Sequence, residues 1–111
     1  MSKSDKTARI RQLNDALRRT FSGGKVVMTQ GVAALPEHQL ARLLERVRCF
    51  DAFTNDNDPY GEHDFGVFKL DGNTLNWKID YYDEALEYGS RDPADPTVTT
   101  RVLTILLAEE Y

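Results

Sequence analysis

Apolar residues recur every three or four positions in two stretches of the chain, a spacing that predicts two amphipathic helices. The first helix is expected from residue 4 to about residue 21, where a serine and two glycines stop it. The second is expected from Pro36 to about Phe50, because proline suits the first turn of a helix. Each helix can bury one face in a core. The two apolar stripes are Ile10, Leu13, Leu17 and Phe21, and Leu40, Leu43, Leu44, Val47 and Phe50.

Elsewhere the pattern predicts β-strands. Residues 26–29 form a short β-branched run, which favours a strand. Residues 63–70 and 74–82 alternate between apolar and polar side chains, and the turn residues Asp71, Gly72 and Asn73 lie between them, so a β-hairpin is predicted. One side of its second strand is apolar and the other polar, which indicates a sheet covered on one face only. The apolar side consists of Leu75, Trp77, Ile79 and Tyr81.

The last element is predicted to be a third helix over residues 97–110. Asp95 and Pro96 suit its N-cap and first position, although the many β-branched residues leave a strand as the alternative. The resulting order is α-β-α-β-β-α. We therefore expect an α+β fold in which about three helices pack against a small antiparallel sheet, made of the hairpin and one further strand. Residues 1–111 are expected to form a single domain.

No apolar run approaches the length of about 20 residues that spans a bilayer, and the N-terminus lacks the apolar core of a signal peptide. The sequence therefore predicts a cytoplasmic protein with no membrane partner. Its one cysteine, Cys49, cannot form an internal disulfide, and its helical setting favours a buried, inert thiol. No metal or cofactor motif is present, so no metal and no cofactor are predicted.

The formal charge of −4 conceals a strong asymmetry along the chain. Residues 1–50 contain ten Lys and Arg against four Asp and Glu, whereas residues 51–111 contain four against fourteen. The first helix is predicted to carry a basic face, which either keeps an exposed helix soluble or contacts phosphates. The solvated interpretation is the simpler one, because Asp5 and Asp15 interrupt the run. The basic residues of this face are Lys6, Arg9, Arg11, Arg18 and Arg19.

One acidic and aromatic cluster is the candidate surface site, and no catalytic residue is assigned within it. His63 could act as a general base or metal ligand if a carboxylate oriented its second nitrogen. The competing interpretation is structural, since Asp and Asn side chains cap turns and a histidine can simply donate a hydrogen bond. Neighbouring residues on an extended strand point in opposite directions, which argues against convergence of Glu62, His63 and Asp64. The candidate residues are Asp58, Tyr60, Glu62, His63, Asp64, Asp80 and Asp83.

Four segments carry a resemblance to a known family. They are N-D-P-Y-G-E-H-D-F-G at 57–66, W-K-I-D-Y-Y-D at 77–83, D-P-A-D-P at 92–96 and R-V-L-T-I-L-L-A-E-E-Y at 101–111. The chain resembles the bacterial domain-of-unknown-function family 3768 from the second helix to the C-terminus. The resemblance implies a small cytosolic bacterial protein, often found in mobile or plasmid-borne settings, and it supplies no catalytic residues.

These observations favour an interaction module over an enzyme, with a protein partner or a second copy of the chain as the expected ligand. The acidic hairpin side or the basic first helix would provide the contact. Two alternatives stay open. One is a metal-dependent or acid–base enzyme that uses the cluster around His63, and the other is contact with nucleic acid through the first helix, which the acidic second half of the chain disfavours.

Overall fold

The computed structural model describes residues 2–111, which form a four-stranded sheet with helices on one face. Helix α1 (Lys3–Thr20) and strand β1 (Lys25–Met28) come first, followed by the short helix α2 (Gln30–Ala33) and helix α3 (Glu37–Arg48). Strands β2 (Phe65–Leu70), β3 (Asn73–Tyr82) and β4 (Thr100–Leu107) follow, and a 3₁₀ turn spans Ala108–Glu110. The α+β class is confirmed.

The sheet is mixed, with strand order β1-β4-β3-β2. The predicted hairpin is confirmed: β2 and β3 are antiparallel and joined at Asp71 and Gly72, both of which have positive φ. β4 is antiparallel to β3 and parallel to β1. The prediction of three antiparallel strands therefore missed one strand, and it also missed the parallel pairing of β1 with β4.

The prediction of a third helix at residues 97–110 was wrong, because this segment contains β4. Asp95 does cap a following backbone N–H, that of Thr97, but the chain makes a turn there and not a helix. In β4 the side chains of Arg101, Leu103 and Ile105 are buried, and their neighbours in between are partly exposed. This two-residue period of burial is typical of a strand in the middle of a sheet, an environment in which β-branched residues are favoured.

The core lies between the sheet and the helices, as the apolar stripes predicted. Trp77 is fully buried at its centre, with Leu75 and Ile79 on the same side of β3. Helix residues Leu17, Leu43 and Val47 pack against them. On the opposite face of the sheet Lys78 pairs with Asp80, Leu106 is buried, and Tyr111 packs edge to face against Phe65. The sheet thus has one apolar face and one mixed face.

Candidate functional site

The segment before β2 turns sharply, and this turn positions the predicted cluster. Gly61 and His63 both have positive φ, 70° and 54°, so the chain does not enter β2 in an extended form. Asp58 holds the turn by accepting a hydrogen bond of 3.0 Å from the backbone N–H of His63. Glu62 and His63 consequently both reach inward toward α1, which the assumption of an extended strand did not anticipate.

His63 lies between two carboxylates. Its Nδ1 is 2.9 Å from Asp15 Oδ1, and its Nε2 is 3.6 Å from Asp58 Oδ2. The imidazole also stacks on the ring of Phe53, with 3.7 Å between the centroids and parallel planes. Only 24% of the His63 side chain is exposed. Two charged partners and one aromatic partner therefore fix the ring in place.

Arg18 forms the second part of the cluster, and the prediction that it belongs to an exposed basic face was wrong. Its guanidinium is buried between the rings of Phe53 and Trp77. It donates to the backbone oxygens of Val47 and Arg48 at the end of α3, at 3.0 and 3.1 Å, and to Asp15. Arg18 thus links α1 to the C-terminal end of α3, where carbonyl groups lack partners within the helix.

A third set of polar contacts ties α1 to the sheet. Asn14 is buried and donates to the hydroxyl of Tyr81 at 2.7 Å and to the backbone oxygen of Glu62 at 3.0 Å. Tyr81 in turn donates to Glu62 Oε1 at 2.7 Å. Arg101 on β4 donates to Asn14 Oδ1 at 2.9 Å and to the backbone oxygen of Pro93. Each of these side chains therefore has a hydrogen-bond partner within the protein, as buried polar groups require.

The pKa directions agree with this burial. Burial raises the pKa of Tyr81, and its hydrogen bond to Glu62 adds to the rise, so the phenol stays protonated and acts as a donor. Burial lowers the pKa of Arg18 and of Arg101. Burial also raises the pKa of Asp64, and the charge of nearby Glu62 contributes.

The structure brings together three of the seven candidate residues: Glu62 and His63 contact α1, and Asp58 contacts His63. Tyr60 does not join them, because its side chain is 79% exposed.

Asp64 is partly buried beside the cluster, near the charge of Glu62. Asp80 lies on the face of the sheet opposite α1 and α3, where its carboxylate pairs with Lys78 at 2.8 Å. Asp83 caps the loop after β3 by accepting from the backbone N–H of Glu87. Asp80 and Asp83 therefore make their contacts away from His63.

Several residues of the cluster were absent from the predicted site, namely Asn14, Asp15, Tyr81 and Arg101. Their partners are far away in sequence, and Arg101 lies 87 residues after Asn14. Polar residues within the apolar stripes were the only available signal: Asn14 falls between Ile10 and Leu17, and Arg101 begins an apolar run. A polar residue at such a position indicates a buried partner without identifying it.

The cluster is suited to holding elements together. Among the described residues, the hydrogen-bond and ion-pair partners of the His63 imidazole are carboxylates, and no hydroxyl or thiol nucleophile contacts it. Within residues 2–111 no three His, Cys, Asp or Glu side chains are placed to share a metal ion. Cys49 also differs from expectation, since it is exposed, and its hydrogen bond to Glu45 raises the pKa of the thiol.

The rest of the predicted basic face does meet solvent. Lys6 and Arg19 are exposed, and Arg9 and Arg11 are partly exposed. Arg11 donates to the backbone oxygen of Gly61 and so supports the turn of the cluster from outside. No helix within residues 2–111 is long and apolar enough to cross a bilayer.

Comparison with known proteins identifies the family. A family model described as "Protein of unknown function (DUF3768)" matches residues 28–110, which is most of the chain and includes three strands of the sheet completely. No curated protein and no solved structure matches the chain. The chain therefore belongs to the DUF3768 family of proteins of unknown function.

Proposed function

We propose that the protein is an interaction module that binds an acidic surface of a partner protein through the exposed side of α1. The proposal is carried by a difference among the basic residues of this helix in burial and in ion pairing. Arg18 is buried and used within the fold, whereas Lys6, Arg9 and Arg19 make no ion pair with any residue of the described chain. We call these three residues the α1 basic surface.

The other basic helix, α3, differs in that two of its three arginines are paired, while the third, Arg46, forms no ion pair among the described residues and donates to the backbone oxygen of Lys69. On α3, Arg42 pairs with Asp71 at 2.9 Å and Arg48 pairs with Glu45 at 3.8 Å. Unpaired surface charges add to the long-range potential that steers an oppositely charged partner, and paired charges largely cancel. The α1 basic surface is therefore the better candidate for a contact.

A protein is favoured over nucleic acid as the partner. The chain carries a net charge of −4, and acidic side chains lie within and beside the α1 basic surface, where a shallow groove is lined by Asp5, Arg9 and Asp15 together with other residues. A phosphate backbone would meet these carboxylates at close range, at an electrostatic cost. A folded partner can instead place separate acidic and basic groups opposite them.

Affinity capture followed by reconstitution tests the proposal. The bait is the wild-type protein, compared with a Lys6→Glu, Arg9→Glu, Arg19→Glu variant and with a control that places the same charge change outside both proposed surfaces, Lys25→Glu, Arg42→Glu, Arg91→Glu. We expect one partner that binds wild type and control, is lost from the α1 variant, and binds again when both proteins are pure. Its affinity should fall between about 50 and about 500 mM salt, because screening weakens such contacts.

Two outcomes would contradict the proposal. One is a purified partner whose affinity does not change with the α1 variant. The other is a gel shift of DNA or RNA that the wild type causes and the α1 variant does not. This result would show that the α1 basic surface binds nucleic acid.

A further inference from the structure

Strand β2 is the last strand of the sheet, so within residues 2–111 one of its edges has no strand beside it. The two-residue turn Asp71–Gly72 determines which groups face that edge. In such a hairpin the backbones of residues 66, 68 and 70 bond to β3. The backbone N–H and C=O groups of Phe65, Val67 and Lys69 consequently point outward. We call this side of the strand the β2 edge.

The chain segment 46–53 runs alongside β2 in the opposite direction. Arg46 lies beside Lys69, to whose backbone oxygen it donates at 3.4 Å. Phe50 packs at Gly66, and Phe53 stacks on His63. A groove forms between the segment and the strand, and it is lined by Arg46, Cys49, Phe50, Asp51, Val67 and Phe68, among others. Asp51 therefore lies toward the beginning of β2, at the end opposite Arg46.

The charges along this edge are consequently divided. Arg46 and Lys69 stand at the C-terminal end of β2, whereas Asp51 and Asp64 stand at its N-terminal end. None of these four forms an ion pair within residues 2–111. Between the two ends lies Val67, whose side chain is 45% exposed. The edge is thus positive, apolar and negative in succession.

We infer that the β2 edge pairs with the β2 edge of a second copy of the chain, antiparallel and centred on Val67. A two-fold axis through Val67 places the positive end of each copy against the negative end of the other, so Arg46 of one copy faces Asp51 of its partner twice. Phe65 of each copy then lies opposite Lys69, and the outward backbone groups of both strands exchange hydrogen bonds; the Lys69 oxygen, which already accepts from Arg46, uses its second lone pair. The sheet continues from one copy into the other.

This charge order is why we assign a second copy as the occupant. A strand from another protein would need the matching sequence of acidic, apolar and basic groups, whereas the chain itself supplies it. The other edge strand, β1, has four residues against six in β2, and it offers fewer backbone bonds. The inference goes beyond the α1 basic surface, and its test uses the purified protein alone, so the two proposals can fail separately.

Charge reversal gives the first test, with the molecular mass followed by sedimentation velocity over a range of concentrations. The wild type should dimerise, and Arg46→Asp and Asp51→Arg should each weaken the dimer by more than about tenfold, because two attractive pairs become repulsive. An equimolar mixture of the two variants should form a heterodimer, since each then offers the charge that the other needs. Restored pairing shows that both variants are folded.

Cross-linking gives the second test. Val67→Cys in a Cys49→Ser background should form a disulfide-linked dimer with oxidised glutathione as the oxidant, because paired Cα atoms about 5.5 Å apart are within disulfide range. The matched control is Val27→Cys in the same background, at an equally exposed valine on β1 (43% against 45%). Three results would overturn the inference: a wild type still monomeric at about 1 mM, where even weak contacts are populated, a mixture that stays monomeric, or equal cross-linking at both valines.

Discussion

At the scale of single residues, Gly66 shows how tightly the core is assembled. The indole of Trp77 lies directly over its Cα, so a Cβ at this position would overlap the indole nitrogen and come within 2.9 Å of Phe50 Cε1. Neither ring can withdraw easily, because Phe50 and Trp77 pack edge to face at 5.5 Å. The absence of a side chain at residue 66 is what allows Trp77 to be buried.

Gly66→Ala should therefore destabilise the protein. We expect the free energy of unfolding to fall by about 1 to 3 kcal/mol, the usual range for overpacking a core. Denaturant unfolding measures this, with Gly89→Ala as control because its nearest atom would be 3.9 Å away. Equal stability of the two variants would show that the core around Trp77 is loose.

Asp64 gives a prediction on pH. Burial and Glu62 raise the pKa of Asp64 above its ordinary value of 3.8, so the folded state keeps this proton to higher pH than the unfolded chain does. The stability that protonated Asp64 contributes is present below the unfolded pKa and is lost as pH rises through the folded pKa. Asp64→Asn removes the ionisation without changing the shape of the side chain.

Relative to wild type, Asp64→Asn should raise the melting temperature at neutral pH, and the difference should shrink as the pH falls toward about 4. Melting curves across this range check the prediction, with Asp56→Asn in the exposed loop as control. A constant difference at all pH values would contradict it.

At the scale of elements, β4 and α1 show what sequence could and could not predict. The apolar stripes of α1 and α3 and the alternation in the hairpin were sufficient to locate these elements and the buried side of β3. Residues 100–107 were misassigned because their apolar residues satisfy a helical wheel as well as an alternation. Neighbouring strands decide between helix and strand for this segment. Because β4 lies between β1 and β3, its β-branched residues occupy the middle of a sheet, where they are favoured.

The candidate site was predictable only in part, for a related reason. The turn-forming residues Asp58 and Gly61 marked a special backbone locally. The partners of Glu62 and His63 lie on α1 and β3, and contacts between distant segments leave no local pattern. Arg18 was placed on the surface because arginine is rarely buried without such partners.

Arg18 gives a prediction for the contact between α1 and α3. Arg18→Met keeps much of the aliphatic packing but removes the bonds to the oxygens of Val47 and Arg48. We expect a loss of about 2 to 4 kcal/mol in unfolding free energy, because buried carbonyl groups and Asp15 lose a charged donor. The matched control is Arg19→Met, an exposed neighbour whose replacement should change stability by less than about 0.5 kcal/mol.

Hydrogen exchange locates the effect of Arg18→Met. Amide exchange should accelerate at the end of α3 and in α1 before it does so in the hairpin. If Arg18→Met and Arg19→Met proved equally stable, the buried guanidinium would have no role in joining the two helices.

At the scale of the whole molecule, polar groups near the N-terminus and near the C-terminus meet in the interior. Asn14, Tyr81 and Arg101 connect α1, β3 and β4, while charged side chains outside this network form the surfaces proposed to bind partners. We infer that the cluster around Glu62 and His63 holds the helix layer on the sheet, whereas binding is proposed for those outer surfaces. The network then contributes to folding free energy as a coupled unit.

A double-mutant cycle between Asn14 and Arg101 measures whether this network joins the helix layer to the sheet. The free energies of unfolding of wild type, Asn14→Ala, Arg101→Met and the double variant give the coupling between two residues on α1 and β4, whose side chains are 2.9 Å apart. We predict that each single variant is destabilised and that the coupling energy is about 1 to 3 kcal/mol. Additive effects, with no coupling between the two residues, would contradict the account.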